Sequence, residues 1–398
     1  MSWAQPSAIV GAGESALGHV PGRSCQSLQA EAMLAALANA GISKDEVDGL
    51  VAQPSLVSPV IRHAVNLAQY VGLSSDRVQW LQSSGHGSVA ASGGALHEAC
   101  MAIAAGVCET VVVVSGDNLL SAGRSAGISM LANMRDGEFE SPYGTFIAAT
   151  WAMTATRYMH DYDVAETDLA RVAVALRERA ADHPRAQMRK PMTVEDVLAS
   201  PVVSSPLRRL NCAIVSDGAC AVVVESLARA RGRRRHVPVL SGETAYGMPG
   251  GRVTDDMGQV GNPYSARTGT RESSRRALVA ADVTLADIDL LCTYDPFSHV
   301  PLLFFEGLGY CDEGDGGQLV RDGFLDHGVG ATFNLHGGLH SYCHPGNAGG
   351  LFMTVEAFRQ LAGEPLGRAA DSPSLGLVHG YGANKGVFTT TVLAKGAS

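Results

Sequence analysis

The sequence AGISKDEVDGL at residues 40–50 has a counterpart 241 residues later, ADVTLADIDLL at residues 281–291. Both stretches lead from a helix-like segment through an acidic turn into an apolar, strand-like run. Further upstream, Pro238-Val239-Leu240 corresponds to the apolar opening run Ala8-Ile9-Val10. Because the same order of elements occurs twice, the sequence indicates an internal duplication and two similarly folded halves.

Strands alternate with helices in each half, which predicts mostly parallel sheets covered by helices on both faces. We therefore expect an α/β fold in which two duplicated βαβαβ halves form five layers, αβαβα. The Arg-rich turn near residue 235 predicts a boundary between an N-terminal domain, residues 1–235, and a C-terminal domain, residues 236–398. Residues 119–210 are polar, Met-rich and poor in strand-like runs, so we expect a helical insertion over the core.

The composition narrows the class of protein and its partners. Of the 398 residues, 46% are apolar and 17% are charged, which suits a chain that buries a large core. The net charge of −9 and the lack of a basic stripe beyond residues 229–235 argue against nucleic acid as a partner. The eight cysteines form no C-x-x-C pair and no metal-ligand spacing, so they indicate a reducing compartment and no metal site.

The N-terminus does not combine a basic segment with an apolar one, so no signal peptide is expected. No apolar run reaches the length of about 18 residues that a membrane-spanning helix needs. We therefore expect a cytoplasmic protein that has no contact with a membrane.

Residues 334–350, NLHGGLHSYCHPGNAGG, combine many glycines with one tyrosine and three histidines. Glycine lets the backbone turn sharply and approach a ligand closely, while tyrosine and histidine can move protons and bind an oxyanion. Residues 84–94 form a second glycine-rich loop, which precedes a helix, and residues 293–299 form a third patch. Equivalent loops of a duplicated α/β fold meet at one end of the sheets, so the three patches are predicted to form one site.

The glycine-rich stretch resembles the Gly-His-Pro signature of the thiolase superfamily. The chain as a whole resembles the thiolase-like lipid-transfer proteins, which are related to the sterol carrier protein thiolases. Three other segments carry this resemblance: Ser216-Asp217-Gly218-Ala219, Tyr294-Asp295-Pro296-Phe297 and Leu308-Gly309-Tyr310-Cys311. The resemblance implies a thiolase-like fold and a site that binds CoA thioesters.

A thiolase needs a nucleophilic cysteine at the start of the helix after the first glycine-rich loop, where the helix dipole lowers its pKa. Counting along this helix places Val89 at that position, and residues 379–386 occupy the place of the second cysteine. Valine cannot attack a thioester, and the family geometry places no base beside the neighbouring Ser88. We therefore expect that no acyl-enzyme forms.

The remaining residues resemble those of the steroid side-chain aldolases of this group, which cleave a β-hydroxyacyl-CoA by a retro-aldol reaction. Those enzymes have one tyrosine in a Tyr-Asp-x-Phe turn and another two residues before the loop histidine, matched here by Tyr294 and Tyr342. We predict that Tyr294 takes the β-hydroxyl proton, that Tyr342 acts on the enolate side, and that His344 polarises the thioester carbonyl. The products would be a ketone or aldehyde and a short acyl-CoA.

Five more residues are predicted to line the substrate or oxyanion site: His86, Ser88, Asp295, His340 and Gly346. His86 either lines the site or binds the backbone of its own loop, and His340 either shapes its loop or faces the substrate. Asp295 either orients a base or caps a turn. No cofactor is expected other than the CoA thioester, which is the substrate.

Two other functions stay open: a thiolase-like subunit that binds acyl-CoA without chemistry of its own, and a degenerate acetyl-CoA acyltransferase that uses Ser88. The resemblance also implies a homodimer and a small partner protein with a zinc ribbon and an OB fold. The arginines of residues 229–235 either solvate a linker or contact the phosphates of CoA.

Overall fold

The computed structural model describes residues 6–84, 93–123, 138, 142, 146–246, 264–326, 332–382 and 386–397. Its strands are β1 (Ser7–Glu14), β2 (Gly49–Ala52), β3 (Trp80–Ser83), β4 (Thr110–Asn118), β5 (Val202–Ser204), β6 (Leu207–Arg208), β7 (Asp217–Ser226), β8 (Val237–Tyr246), β9 (Leu290–Thr293), β10 (Thr332–Phe333), β11 (Leu375–Gly382) and β12 (Val387–Ala394). Its α-helices are α1 (Cys25–Ala40), α2 (His63–Val71), α3 (Gly94–Ala104), α4 (Ile147–Tyr162), α5 (Glu166–Ala181), α6 (Val194–Ala199), α7 (Leu227–Ala230), α8 (Ser265–Ala281), α9 (Val300–Leu308), α10 (Gly316–Arg321), α11 (Gly338–Ser341) and α12 (Gly349–Leu361). Within these ranges no helix is both long and apolar enough to cross a bilayer.

Ten strands form one continuous mixed sheet in the order β10-β9-β11-β12-β8-β1-β7-β4-β2-β3. Each half contributes five strands, and β1, β2, β3, β4 and β7 correspond in position to β8, β9, β10, β11 and β12. The parallel and antiparallel pairings also correspond between the halves. The halves join where β1 pairs with β8 in antiparallel fashion. The predicted duplication is therefore confirmed.

The repeated acidic turn has the same local structure in both halves. The Ser43 N–H donates to the Glu46 side chain at 3.0 Å, and the Thr284 N–H donates to the Asp287 side chain at 2.8 Å. Each carboxylate thereby caps the short 3₁₀ helix that leads into β2 or β9. The repeat in the sequence thus encodes a capped turn that sets the start of the following strand.

The helices form three layers around the two halves of the sheet. Helix α1 covers β1, β7 and β4 on one outer face, and α8 covers β8 and β12 on the other. Helices α3 and α12 lie between the halves, because each contacts strands of both. This arrangement confirms the predicted five layers, with the addition that the two half-sheets are joined edge to edge.

Helices α4, α5 and α6 and the β5–β6 hairpin form the segment that lies over the glycine-rich loop. Gly337 has a φ of +96°, and a Cβ added to it would lie 2.5 Å from the Cβ of Ala180 in α5. The Arg177 Nε of the same helix donates to the Ser341 Oγ at 2.9 Å. Only glycine allows this close approach, so the loop and the segment above it hold each other in place.

The arginines near residue 235 contact carboxylates of the protein. The Glu225 carboxylate, which is fully buried, lies 2.8 Å from the Arg229 Nε and 2.7 Å from the Arg233 Nη2. Arg235 forms an ion pair with Glu364. These contacts favour the linker interpretation of the Arg-rich turn over contact with CoA phosphates.

Candidate active site

Tyr294 and His344 come together although they lie on different loops. Tyr294 follows β9, and its N–H donates to the carbonyl of His379 in β11 at 2.9 Å, which extends the ladder beyond the strand. Its hydroxyl lies 2.9 Å from the Nε2 of His344. The phenol is 8% exposed. Two of the three predicted catalytic residues therefore form a direct, partly buried contact.

Burial affects the two members of the Tyr294–His344 pair in opposite directions. Burial, together with the nearby Asp295, raises the pKa of Tyr294, so the phenol keeps its proton. Burial, and to a smaller extent His340, lowers the pKa of His344 to about 4. At neutral pH the pair is uncharged, and the phenol can donate to an imidazole that is able to accept a proton.

Ser216 holds the backbone of His344, and Gln187 in turn holds Ser216. Sequence patterns assigned neither residue a role in the site. The His344 N–H donates to the Ser216 Oγ at 3.0 Å, and the Ser216 N–H donates to the His344 carbonyl at 3.3 Å. The Gln187 Nε2 donates to the Ser216 Oγ at 2.7 Å. Ser216 lies in one of the thiolase-like segments, so the sequence offered a signal for it. Gln187 lies in no such segment, so the sequence offered none.

Two glycines next to the Tyr294–His344 pair leave space that a side chain would otherwise occupy. A Cβ on Gly349, at the start of α12, would lie 2.8 Å from His344 Cδ2 and 3.1 Å from Tyr294 Cε2. Gly346 has a φ of +59°, and a Cβ there would lie 3.0 Å from the Leu56 Cδ1. Gly349 therefore makes room for the Tyr294–His344 pair, and Gly346 allows the turn that precedes α12.

Asp295 and His340 are buried together beside the pair. Asp295 accepts from the Leu339 N–H at 2.9 Å, and its other oxygen lies 3.2 Å from the His340 Nδ1. The His340 Nε2 lies 3.0 Å from the Asn211 carbonyl. Burial raises the pKa of Asp295, and His340 opposes this change. These contacts match the alternatives in which His340 shapes its loop and Asp295 fixes a turn.

Tyr342 lies in a different environment from Tyr294. Its hydroxyl donates to the two carboxylate oxygens of Glu14 at 2.8 and 2.7 Å. Its ring packs against His183 and His336, with ring centroids 4.7 and 5.0 Å away. In the described part of the chain, no side-chain hydrogen bond joins Tyr342 to the Tyr294–His344 pair. Tyr342 therefore belongs to a hydrogen-bond network separate from the pair, and its action on the enolate stays a prediction.

Glu14, at the end of β1, is the centre of a buried ionic cluster. The Arg359 Nη1 lies 2.8 Å from one of its oxygens, and the Arg185 Nε lies 3.0 Å from the other. Burial alone would raise the pKa of Glu14, but the two guanidinium groups and the Tyr342 hydroxyl hold it below its ordinary value. Burial and Glu14 raise the pKa of Tyr342 well above its ordinary value, so this phenol stays protonated.

A third tyrosine lies beside the pair and was not predicted. The Tyr381 ring packs edge-on against that of Tyr294, with centroids 5.1 Å apart.

His86 and Ser88 lie outside the described residues, as does Val89. Among the described residues, no three His, Cys, Asp or Glu side chains come close enough to hold a metal ion.

Comparison with known proteins identifies the family. Residues 7–228 match the thiolase N-terminal domain, and residues 251–395 match the thiolase C-terminal domain-like family. The chain belongs to the thiolase superfamily. The resemblance inferred from the glycine-rich and Tyr-Asp-Pro-Phe segments is thereby confirmed.

Relatives of this thiolase-superfamily chain include both lyases and acyltransferases. A 17-hydroxy-3-oxo-4-pregnene-20-carboxyl-CoA lyase of Mycobacterium tuberculosis is 33% identical over 385 residues, which cover 91% of this chain and 93% of the relative. A steroid side-chain-cleaving aldolase of Thermomonospora curvata is 32% identical over 389 residues, covering 94% and 95%. An acetyl-CoA acetyltransferase of Methanothermobacter thermautotrophicus is 29% identical over 395 residues, covering 98% and 99%.

Solved structures agree with this assignment. The Ltp2-ChsH2(DUF35) aldolase superposes with a TM-score of 0.83 at 28% identity, covering 98% of each chain. Human mitochondrial 3-ketoacyl-CoA thiolase in complex with CoA superposes with a TM-score of 0.75 at 14% identity, covering 100% of each chain. The second similarity supports the fold alone.

Proposed function

We propose that this protein is a CoA-thioester aldolase, which cleaves a β-hydroxyacyl-CoA to a ketone or aldehyde and a short acyl-CoA such as propionyl-CoA or acetyl-CoA. The observation that carries the proposal is the partly buried contact of 2.9 Å between the Tyr294 hydroxyl and the His344 Nε2. Val89 supports it, because a valine at the nucleophile position leaves proton transfer as the available chemistry. The lyase and the aldolase among the relatives support it as well.

The proton steps follow from the geometry and charge of the pair. The Tyr294 oxygen receives the proton of the substrate β-hydroxyl while its own proton moves to the Nε2 of His344. His344 thus acts in this proposal as a proton acceptor, in place of the predicted polarisation of the thioester carbonyl. The Cα–Cβ bond then breaks, its electron pair forms the thioester enolate, and the β-carbon leaves as a carbonyl. General acid–base catalysis of this kind contributes about 10²–10⁴-fold to a rate. Burial removes competing water, which strengthens the polar contacts between the pair and the substrate.

We also propose that the acyl group carries a steroid or a related bulky ring system. The names of the related lyase and aldolase, which refer to steroid substrates, support this substrate class. The name of the Ltp2-ChsH2(DUF35) aldolase supports a heteromeric complex, for which we propose a small partner with a zinc ribbon and an OB fold. A homodimer and a cytoplasmic location belong to the same proposal, and no cofactor enters it.

The test is to incubate the protein with a panel of β-hydroxyacyl-CoAs that carry steroid, bile-acid or aryl side chains, with and without a DUF35-type partner. Mass spectrometry of the products should detect a released ketone or aldehyde together with the short acyl-CoA, and the protein should remain without an acyl adduct. Tight binding of acyl-CoA without product would favour a non-catalytic binding subunit. An acyl adduct on Ser88 or on a cysteine would favour a thiolase.

A further inference from the structure

Tyr381 is held in a fixed position beside the reacting pair. It lies near the end of β11, the strand parallel to β9, and its ring is perpendicular to that of Tyr294 with an interplanar angle of 88°. On another side Trp151 of α4 packs against it, with centroids 5.0 Å apart. Tyr381 is 6% exposed. A ring contacted from several sides keeps one orientation, so its hydroxyl has a defined position.

The hydroxyl of Tyr381 differs from those of the other two tyrosines of this region. Tyr294 contacts His344, and Tyr342 donates to Glu14, whereas among the described residues no hydrogen bond is formed by the Tyr381 hydroxyl. Within the described part of the chain this hydroxyl is therefore not committed to a protein acceptor, and it is available to a substrate atom.

Lack of a partner is not sufficient by itself. The Tyr310 hydroxyl, which is fully buried, has no partner in the described part of the chain either, but its ring packs between Phe305 and Phe324. What distinguishes Tyr381 is its contact with Tyr294. Tyr310 is consequently a matched control for the loss of a phenolic oxygen.

We propose that Tyr381 is the second catalytic tyrosine, which donates a proton to the α-carbon of the thioester enolate. This proposal rests on the aldolase function proposed above. In this step the electron pair released from the Cα–Cβ bond forms a new C–H bond with the Tyr381 proton, which leaves a phenolate. Solvent returns a proton to the phenolate, and His344 releases to solvent the proton that the pair took from the β-hydroxyl. The reaction therefore neither gains nor loses a proton overall.

The assignment follows from the need for a second phenol, besides Tyr294, that protonates the enolate, and from the positions of the candidates. The Tyr294 hydroxyl is engaged with His344, and the Tyr342 hydroxyl is held by both oxygens of a buried carboxylate. A thioester enolate is much more basic than a phenolate, so a neutral phenol next to it transfers its proton downhill. Of the three tyrosines, Tyr381 alone combines contact with the pair and an uncommitted hydroxyl.

The test compares the variants Tyr381→Phe and Tyr310→Phe with the wild-type protein. Two rates are measured: carbonyl release from a cleaved β-hydroxyacyl-CoA, and exchange of the α-protons of propionyl-CoA in D₂O, followed by mass spectrometry. We expect Tyr381→Phe to lower kcat by about 10²-fold or more with KM within about threefold, and to lower α-proton exchange similarly. Tyr310→Phe should leave both rates unchanged. Since the Tyr381→Phe change breaks no hydrogen bond within the described protein, its Tm should be equal to or above that of the wild type.

The outcomes separate this proposal from the proposed function. If the wild-type protein releases a carbonyl and Tyr381→Phe cleaves and exchanges at the wild-type rates, the role of Tyr381 is refuted and the aldolase stands. A raised KM with unchanged kcat and exchange would also refute it, because Tyr381 would then only bind substrate. If the wild-type protein cleaves nothing, the aldolase assignment fails. In that case the proposed role of Tyr381 is still supported if the wild-type protein exchanges the α-protons and Tyr381→Phe does not. If the wild-type protein does not exchange them, the role is refuted.

Discussion

Tyr294 and Tyr342 lie in two regions that use the same side chain for different purposes. Tyr294 contacts a neutral imidazole, which can accept its proton, whereas Tyr342 contacts a carboxylate that is already neutralised by two arginines. In the first region a proton can move without creating an unpaired buried charge. In the second region moving it would place a phenolate beside a carboxylate. We therefore expect Tyr294, rather than Tyr342, to give up its proton during the reaction.

Loss of the Glu14 charge should give the largest change. Glu14→Gln leaves Arg359 buried without its carboxylate, which typically costs about 3–5 kcal/mol in the free energy of unfolding. Urea denaturation followed by circular dichroism measures this change. As a control, Glu272→Gln removes an exposed partner of Arg275 and should cost less than about 1 kcal/mol. A Glu14→Gln protein as stable as the wild type would show that the ionic cluster does not support the fold.

Breaking the Tyr294–His344 pair should abolish most of the activity while leaving the fold intact. Tyr294→Phe and His344→Ala are each expected to lower kcat by about 10²–10³-fold, the range found when a general acid–base group or an oxyanion donor is removed. Carbonyl release at saturating substrate measures the effect, with the thermal unfolding curve as the check on folding. Near wild-type turnover in both variants would leave the aldolase proposal without a mechanism.

Tyr342→Phe is the variant that most directly tests the comparison. Because it removes hydrogen bonds to a charged group, we expect a loss of about 1.5–3 kcal/mol in stability. We expect kcat to fall by less than about tenfold, since the ring still packs and the pair is untouched. The interpretation from sequence, in which Tyr342 acts on the enolate, instead predicts a fall of about 10²-fold or more. Parallel measurements of kcat and of urea unfolding distinguish the two outcomes.

A change of pH between 7 and 5.5 should have the smallest effect on kcat. The form of His344 that accepts a proton is the neutral one, and its pKa is lowered to about 4, so activity should fall only as the pH falls through about 4. A histidine with the ordinary pKa of about 6.5 would lose most of its neutral form by about pH 5.5. We expect kcat at pH 5.5 to remain within about twofold of its value at pH 7. Circular dichroism at each pH separates titration from acid unfolding, and an acid limb near pH 6.5 in the folded protein would contradict the assignment.

The sequence by itself determined the fold and the family. The paired stretches at residues 40–50 and 281–291 encode a capped turn before a strand, and this local signal was sufficient to reveal the duplication. Family segments also identified Tyr294 and His344, which the fold brings into contact. The predictions of the duplication and of the fold succeeded because capping, strand patterning and glycine-dependent turns depend on residues that are close in the chain. The catalytic roles of Tyr294 and His344 stay predictions. The predictions for His86 and Ser88 stay open.

Only the tertiary structure decided what each tyrosine contacts. Glu14 and Tyr342 are 328 residues apart in the chain, and Arg185 reaches Glu14 from the segment above the glycine-rich loop. Tyr381 comes next to Tyr294 because β9 and β11 pair in parallel. The ability of a phenol to transfer a proton depends on burial and on the charge of its nearest neighbour, and both are produced by contacts between distant segments. Sequence alone therefore drew attention to tyrosines, whereas the fold decided which group each phenol contacts.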